Sequence, residues 1–326
     1  MLAAFYTRLG PAAEVCQVGE LSSRMPGPGE VRVRLHSSGV NPSDWKSRSG
    51  ARGDAMSWPL IIPHSDGGGQ IDAVGEGVPD RFGERVWIWN GQWRRARGTA
   101  AQFIVLPASQ AVQLPDSVGY DVAACLGIPA FTALQAVRLA ELLPGMTVLV
   151  AGGAGCVGHY IVQMAKQRGA RVIATVSNPR KADHALLGGA DDTINYRNES
   201  VGRRIKAMTG GGVDVVFETD LAANASLYPE VLRPRGTVVV YGMSAQQTTL
   251  PAHWMMRNAI TMCPFLIYDI PDADRQNGVR ELTALLLSGS LKHTVACCLP
   301  LEQIADAHIL GEEGTALGKI VLIPPS

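Results

Sequence analysis

Thr147-Val148-Leu149-Val150-Ala151-Gly152-Gly153-Ala154-Gly155-Cys156-Val157-Gly158 decides the fold class. An apolar run over 147–151 is followed by a glycine-rich turn, then by a helical pattern over 159–168. The turn holds G-x-G-x-x-G at Gly153, Gly155 and Gly158. Between a strand and a helix, that pattern belongs to turns that hold a dinucleotide pyrophosphate. Gly153 allows the tight bend, Gly155 lets the backbone approach the phosphates, and Gly158 lets the helix pack on the strand. Free amides at the helix start then face the anion.

The rhythm continues downstream. Strands are expected over 171–176, 192–195, 213–217 and 237–241, and helices over 180–187, 199–209 and 223–232. Alternating strands and helices imply a parallel sheet covered on both faces. The second strand selects the nucleotide. An Asp or Glu at its end would accept from the ribose 2′-hydroxyl of NAD. Here the chain reads Thr175-Val176-Ser177-Asn178-Pro179-Arg180-Lys181, with no acid and two cations. Ser177 and Lys181 suit a 2′-phosphate, so NADP(H) is expected. Cations at a helix start oppose the macrodipole, which favours a functional reason for them.

Upstream the character differs. Residues 30–36 alternate, with Val31, Val33 and Leu35 opposite Arg32, Arg34 and His36, which is the period of a half-buried strand. Further strands are expected over 85–89 and 101–106, with few helical patterns before residue 120. This reads as an antiparallel, barrel-like β domain. After about residue 267 only one helix (279–287) and a closing strand (319–323) stand out. The 326 residues suit about two domains. With 46% hydrophobic residues the chain is not disordered, and 29 cations against 29 anions argue against general nucleic-acid or membrane binding. No membrane span or secretory signal is visible, and the six cysteines form no C-x-x-C, so a reduced cytoplasmic protein is expected.

Taken together, the motifs resemble the zinc-independent, zeta-crystallin-like quinone oxidoreductases of the medium-chain dehydrogenase/reductase superfamily. The resemblance rests on Pro28-Gly29-Glu30-Val31, Gly39-Val40-Asn41-Pro42-Ser43-Asp44 and Gly83-Glu84-Arg85-Val86. It continues through Leu126-Gly127-Ile128-Pro129, Phe131-Thr132-Ala133, the glycine turn, Ile194-Asn195-Tyr196-Arg197 and the stretch from Gly314 to Leu322. It implies a GroES-like antiparallel β-barrel domain (1–121, completed by 267–326) and a Rossmann domain with a doubly wound parallel sheet (122–266). It also implies cofactor roles. Gly153, Ala154, Gly155, Cys156 and Val157 would contact the pyrophosphate, and Ser177, Lys181 and Tyr196 the 2′-phosphate. Thr132, Thr219 and Gly242 would border the cofactor, Phe265 and Leu266 would wall the nicotinamide, and Gly318 and Lys319 would close over it.

Zinc-dependent relatives carry a Cys in the loop occupied here by residues 41–46, and later a Gly-His-Glu motif. This chain has Pro63-His64-Ser65-Asp66 there, with Ser65 in the place of the liganding His, so no metal is expected. His64 reads either as a polar wall of the pocket or as a satisfied structural histidine.

Without a Lewis acid, easy acceptors are favoured: quinones and activated alkenes, reduced by hydride or by single electrons. Asn41, Asp44 and Lys46 are the candidate catalytic residues. Asn41 would bond a cofactor or substrate oxygen. Asp44 would orient Lys46 or the nicotinamide ribose, and Lys46 would donate a proton or stabilise an enolate. Trp58 and Trp93 suit a flat substrate, or a core or interface position. The run Gln92-Trp93-Arg94-Arg95-Ala96-Arg97 suits an anion or single-stranded nucleic acid, but in a neutral chain reads first as a solvated loop or subunit contact. The alternatives are an alkenal or enone reductase on the same scaffold and an RNA-binding or structural crystallin-like role. A homo-oligomer, dimer or tetramer, is expected. Cys156 at a helix start would have a lowered pKa if exposed.

Overall fold

The computed structural model describes residues 1–325, arranged as two compact units. The first comprises Met1–Ile128 and the chain from Thr283 on; the second is Pro129–Leu282. These boundaries lie beyond the 121/122 and 266/267 read from sequence. At the first, the short helix Tyr120–Ala123 packs with strands of the first unit. At the second, the helix Asp272–Leu287 runs across the boundary, and Arg275 on its first turns lies 5.0 Å over the Phe131 ring of the second unit.

In the first unit β1 (Leu2–Phe5) and β2 (Gln17–Glu20) form an antiparallel pair. β3 (Glu30–Gly39), β4 (Asp66–Val74), β5 (Arg85–Ile88), β6 (Phe103–Pro107) and β7 (Ala111–Gln113) build an antiparallel sheet. The alternation in β3 works as read: Val31, Val33 and Leu35 are buried against Ile71, Val86, Ile88, Ile104 and Leu106.

The second unit is a six-stranded parallel sheet of β8 (Thr147–Val150), β9 (Arg171–Val176), β10 (Asp192–Asn195), β11 (Val213–Glu218), β12 (Leu232–Val240) and β13 (Thr261–Pro264). Their order is β10-β9-β8-β11-β12-β13. The core on one face joins Leu149, Ile173, Ile194, Val216 and Val238 to Ile205 and Tyr228 of the covering helices. The helix expected over 223–232 is instead three short turns, Leu221–Asn224, Ala225–Leu227 and Tyr228–Val231. Pro229, which has no N–H to donate, sits in the last of them.

The end of the chain holds more than one helix and one strand. β14 (Val295–Pro300), the helix Ile304–Glu313 and β15 (Lys319–Ile323) follow Asp272–Leu287. β15 pairs with β3, and β14 with β15, so the terminal segment extends the first unit's sheet.

β4 carries Asp66-Gly67-Gly68-Gly69, a sequence that reads as a turn and not as a strand. The contacts explain the glycines. A Cβ on Gly69 would lie 2.1 Å from the Arg34 carbonyl oxygen, and one on Gly68 2.4 Å from the Ala123 Cβ. Neighbouring backbone lies where side chains would be. Gly68→Ala is therefore expected to destabilise the chain by about 1–3 kcal/mol, read by urea unfolding; a variant of unchanged stability would contradict this packing.

Candidate active site

In the second unit the expected cofactor residues gather on one edge. The parallel register sets Val150 beside Ala174 and Phe217, Asn195 beside Val176, Phe217 beside Val239, and Val240 beside Pro264. The residues just past these strand ends are Ala151–Gly155, Ser177, Tyr196, Thr219, Gly242, Phe265 and Leu266. All lie at the carboxyl edge of the sheet, where open α/β sheets bind ligands.

The glycine turn is tied to β9: Gly152 N–H donates to Thr175 Oγ1 at 3.0 Å, and Gly153 N–H to the Thr175 carbonyl at 3.1 Å. A Cβ on Gly153 would lie 2.5 Å from the Ala174 Cβ, and one on Gly158 2.4 Å from the Gly152 oxygen. These two glycines permit close packing. Gly155 differs: its nearest neighbour would be the Gly152 oxygen at 3.3 Å, which leaves its outer side open. Gly155 is the N-cap of the helix Cys156–Gln167 and Cys156, half-buried, its first residue. The first amides of this helix have no intrahelical acceptor.

At the end of β9, Asn178 caps the helix Pro179–Leu187, its Oδ1 accepting from the Lys181 N–H at 2.9 Å. Ser177 is buried, whereas Tyr196 is 52% exposed. Tyr196 N–H donates to the Val176 carbonyl, which sets it beside Ser177. This corner carries a hydroxyl, a cation and a phenol, with no carboxylate on the β9 end. In the helix Phe131–Leu139, Thr132 Oγ1 is buried with no hydrogen-bond partner among the described residues. An open glycine cradle, a β9 end without a carboxylate and an orphaned hydroxyl fit a phosphorylated dinucleotide.

Sequence reasoning missed Glu218, an acid ending a valine-rich strand. It is 1% exposed and accepts from Asp220 N–H (2.7 Å), Asn224 Nδ2 (2.9 Å) and Tyr228 Oη (3.1 Å). It thereby holds the loop after β11 in place. Burial pushes its carboxyl above the usual range, and these donors oppose the shift.

The candidate catalytic residues belong to the first unit. Asn41 begins the helix Pro42–Arg48 in a capping box, with Asp44 Oδ2 accepting from the Asn41 N–H at 2.7 Å. Lys319 Nζ donates to Asn41 Oδ1 (2.6 Å) and to Asp66 Oδ2 (2.7 Å), and Asn41 Nδ2 donates to Asp66 Oδ2 (2.8 Å). Lys319 is 1% exposed and Asp66 wholly buried. Asn41 and Lys319, expected at cofactor or substrate, are thus engaged with Asp66, and Asp44 with its own helix. Lys46 is half-buried in the last turn of that helix, where a cation complements the dipole. Gly318, at φ 105°, precedes Lys319 where a Cβ would meet the Thr294 oxygen at 2.5 Å.

His64 is a satisfied structural histidine, and its hydrogen bonds run in one direction. Thr99 Oγ1 donates to the Asp66 carbonyl at 2.5 Å. It therefore accepts from Ser38 Oγ (2.9 Å), and Ser38 in turn accepts from His64 Nδ1 (2.8 Å). With its proton on Nδ1, neutral His64 accepts at Nε2 from His308 Nε2 (2.9 Å), and His308 Nδ1 accepts from Arg48 Nε (3.3 Å). Arg48 is itself held by Glu312 and the Gly10 carbonyl. Burial first, then neighbouring charge, holds His64 well below the usual range and His308 down to about 3, so both rings are neutral. Among the described residues no group of three or more His, Cys, Asp or Glu is placed to hold a metal ion.

Comparison with known proteins agrees with this layout. The alcohol dehydrogenase GroES-like domain model matches residues 27–116, and the zinc-binding dehydrogenase model residues 156–286. A quinone oxidoreductase of Pseudomonas aeruginosa is 34% identical over 239 residues, 72% of each chain. The chain belongs to the zinc-independent quinone oxidoreductases of the medium-chain dehydrogenase/reductase superfamily. A 2-haloacrylate reductase from a Burkholderia species is 30% identical over 335 residues, 99% of each chain. The quinone oxidoreductase of Escherichia coli, solved in complex with NADPH, superposes with a TM-score of 0.90 at 28% identity, covering 99% of this chain and 100% of that one. No helix among the described residues is long and apolar enough to cross a membrane.

Two outcomes test the buried cluster. Lys319→Met leaves Asp66 without its cation and should cost about 3–5 kcal/mol in urea unfolding, most of it recovered when Asp66→Asn is added. No recovery in the double variant would contradict the pairing. Burial pushes the Asp44 carboxyl up to about 7 from its usual 3.8, against the Asn41 N–H and the Lys319 charge. Folding then takes up a proton between these values, so the contribution of Asp44 to stability falls as pH rises from 3.8 to about 7 and is level above. Asp44→Asn keeps an acceptor for the cap and removes the titration. Wild-type stability minus variant stability should therefore decline across that window, and a flat difference would argue against the shift.

Proposed function

We propose that this chain uses NADPH to reduce quinones and activated alkenes, without a metal. The observation that supports the nucleotide choice is the end of β9, which has no carboxylate and carries Ser177, with Tyr196 set beside it and Lys181 in the first turn of the helix that follows. The activities for which the Pseudomonas and Burkholderia relatives are named support the two acceptor classes.

In this reading the amides of Ala154, Cys156 and Val157 receive the pyrophosphate over the open side of Gly155. Ser177, Lys181 and Tyr196 take the 2′-phosphate, and the buried Thr132 hydroxyl finds its missing partner on the bound nucleotide. Thr219, Gly242, Phe265 and Leu266 border the cofactor along the strand ends. The reduced nicotinamide supplies a hydride at C4. Asn41, Asp44 and Lys319 position the backbone from which Lys46 projects, and Lys46 supplies the proton when the acceptor is an alkene. A quinone accepts electrons more readily and depends less on that proton.

Loss of Lys181 as Lys181→Ala should raise the KM for NADPH about ten- to a hundred-fold, the worth of one charge-assisted hydrogen bond, and leave that for NADH unchanged. Equal kinetics with both nucleotides in wild type and variant would refute the nucleotide choice. With 9,10-phenanthrenequinone and an enone as paired acceptors, Lys46→Met should depress enone turnover far more than quinone turnover. No NADPH oxidation with any quinone or enone would refute the activity itself.

A further inference from the structure

The arginine run after Trp93 borders a cavity of about 540 Å³ in the first unit. Arg24, Glu30, Arg95, Arg97, Phe103 and Pro107 are among its lining residues, and none of the residues assigned above to cofactor or catalysis is. Its volume falls within the range of small-molecule sites.

The charges in this cavity do not balance. Glu30 is the only acid in the lining. It is held by Arg24 NH2 at 2.6 and 2.7 Å and accepts from the Gly27 N–H. Arg95 donates to the neutral Gln110 Oε1 at 2.6 Å, and Arg97 to the Ser22 carbonyl at 2.7 Å. Two guanidiniums therefore line the cavity with only neutral hydrogen-bond partners. Burial lowers the Arg95 pKa, with Glu30 opposing and Arg24 adding to the shift, so this charge is held at a cost an anion would relieve. Phe103 offers a flat wall whose ring carries Arg32 at 5.0 Å and Arg34 at 5.2 Å, and only Arg32 of these is paired, with Asp72. In a chain of zero net charge this hollow thus gathers three arginines, Arg24, Arg95 and Arg97, against Glu30.

We propose that this cavity binds a small organic oxyanion, a phosphate or carboxylate carried on a flat apolar ring, with Arg95 and Arg97 on the anion and Phe103 on the ring. Guanidinium forks match both oxyanions. No residue of the dinucleotide turn lines this cavity, so this ligand and NADPH bind together.

Calorimetric titration of the full chain, with and without saturating NADPH, tests this. Phenyl phosphate and benzoate are the two arms; inorganic phosphate lacks the ring and phenol lacks the charge. The expected result is one equivalent of phenyl phosphate or benzoate bound in both conditions, with the stronger arm identifying the anion and both controls weaker. Arg97→Gln and Arg95→Gln should each weaken binding about ten- to a hundred-fold, with NADPH affinity unchanged. Arg97 holds only Ser22, so Arg97→Gln should keep the fold, which its circular-dichroism melt checks. The proposal is overturned if neither arm binds up to millimolar concentration, or if both variants bind as the wild type does. It is overturned too if binding disappears when NADPH is present, or if only single-stranded RNA binds with this arginine dependence.

Discussion

Lys319 and Asp66 are 253 residues apart in sequence and meet in a buried ion pair at 2.7 Å. The C-terminal strand of the first unit is held to its N-terminal sheet through this contact. Removing both charges from water is costly, and only satisfied hydrogen bonds make it tolerable. Asn41 supplies them at one carboxylate oxygen, as acceptor for the ammonium and donor to Asp66 Oδ2, while Asp66 Oδ1 is buried with no hydrogen-bond partner among the described residues. A one-residue slip of β15 against β3 would turn Ile320 and Leu322 out of the core and part the buried lysine from the buried aspartate. The pair is thus a device for specificity, and it places Asn41, and with it the start of the helix that carries Lys46.

The directed chain of hydrogen bonds from Arg48 to the Asp66 carbonyl extends this constraint. Each member has one arrangement of its proton once Thr99 donates to that carbonyl. Neutral, tautomer-fixed histidines rigidify a core only if every partner is present. Ser38, Thr99, His64, His308 and Arg48 come from five separate stretches of chain, so the network reports on the whole unit and not on one element.

The second unit was legible because its information is local. The turn from Gly152 to Gly158, the valine-rich strands and the missing acid after Val176 sit in short windows with fixed spacing, and the parallel register carries them to one edge. The first unit was only half legible. β3 announced itself by alternation, but β4 hid behind Gly67-Gly68-Gly69, whose reason is the proximity of Arg34 and Ala123 and not any local preference. The helix Ile304–Glu313 was missed for a similar reason: Gly311 packs against Trp45, with a Cβ there 2.7 Å from the ring, and no periodic stripe records that contact. The expected roles of Asn41 and Lys319 came from position in a motif, whereas in the structure Lys319 reaches Asn41 and Asp66 across 278 and 253 residues.

Equal numbers of cations and anions say little until each is paired. Arg48 with Glu312, Arg32 with Asp72 and Lys319 with Asp66 are charges whose counter-charge lies within the fold, and they explain packing. Arg95 and Arg97 carry the same formal charge but bond only neutral atoms, although one of them lies in a partly desolvated hollow. For Arg95 the neutral acceptor Gln110 does not offset the cost of partial burial of the charge. That imbalance is what the proposed oxyanion answers. The sequence marks the run from Gln92 to Arg97 as a candidate anion site; only the contacts separate Arg95 and Arg97 from the paired Arg24 and Arg32.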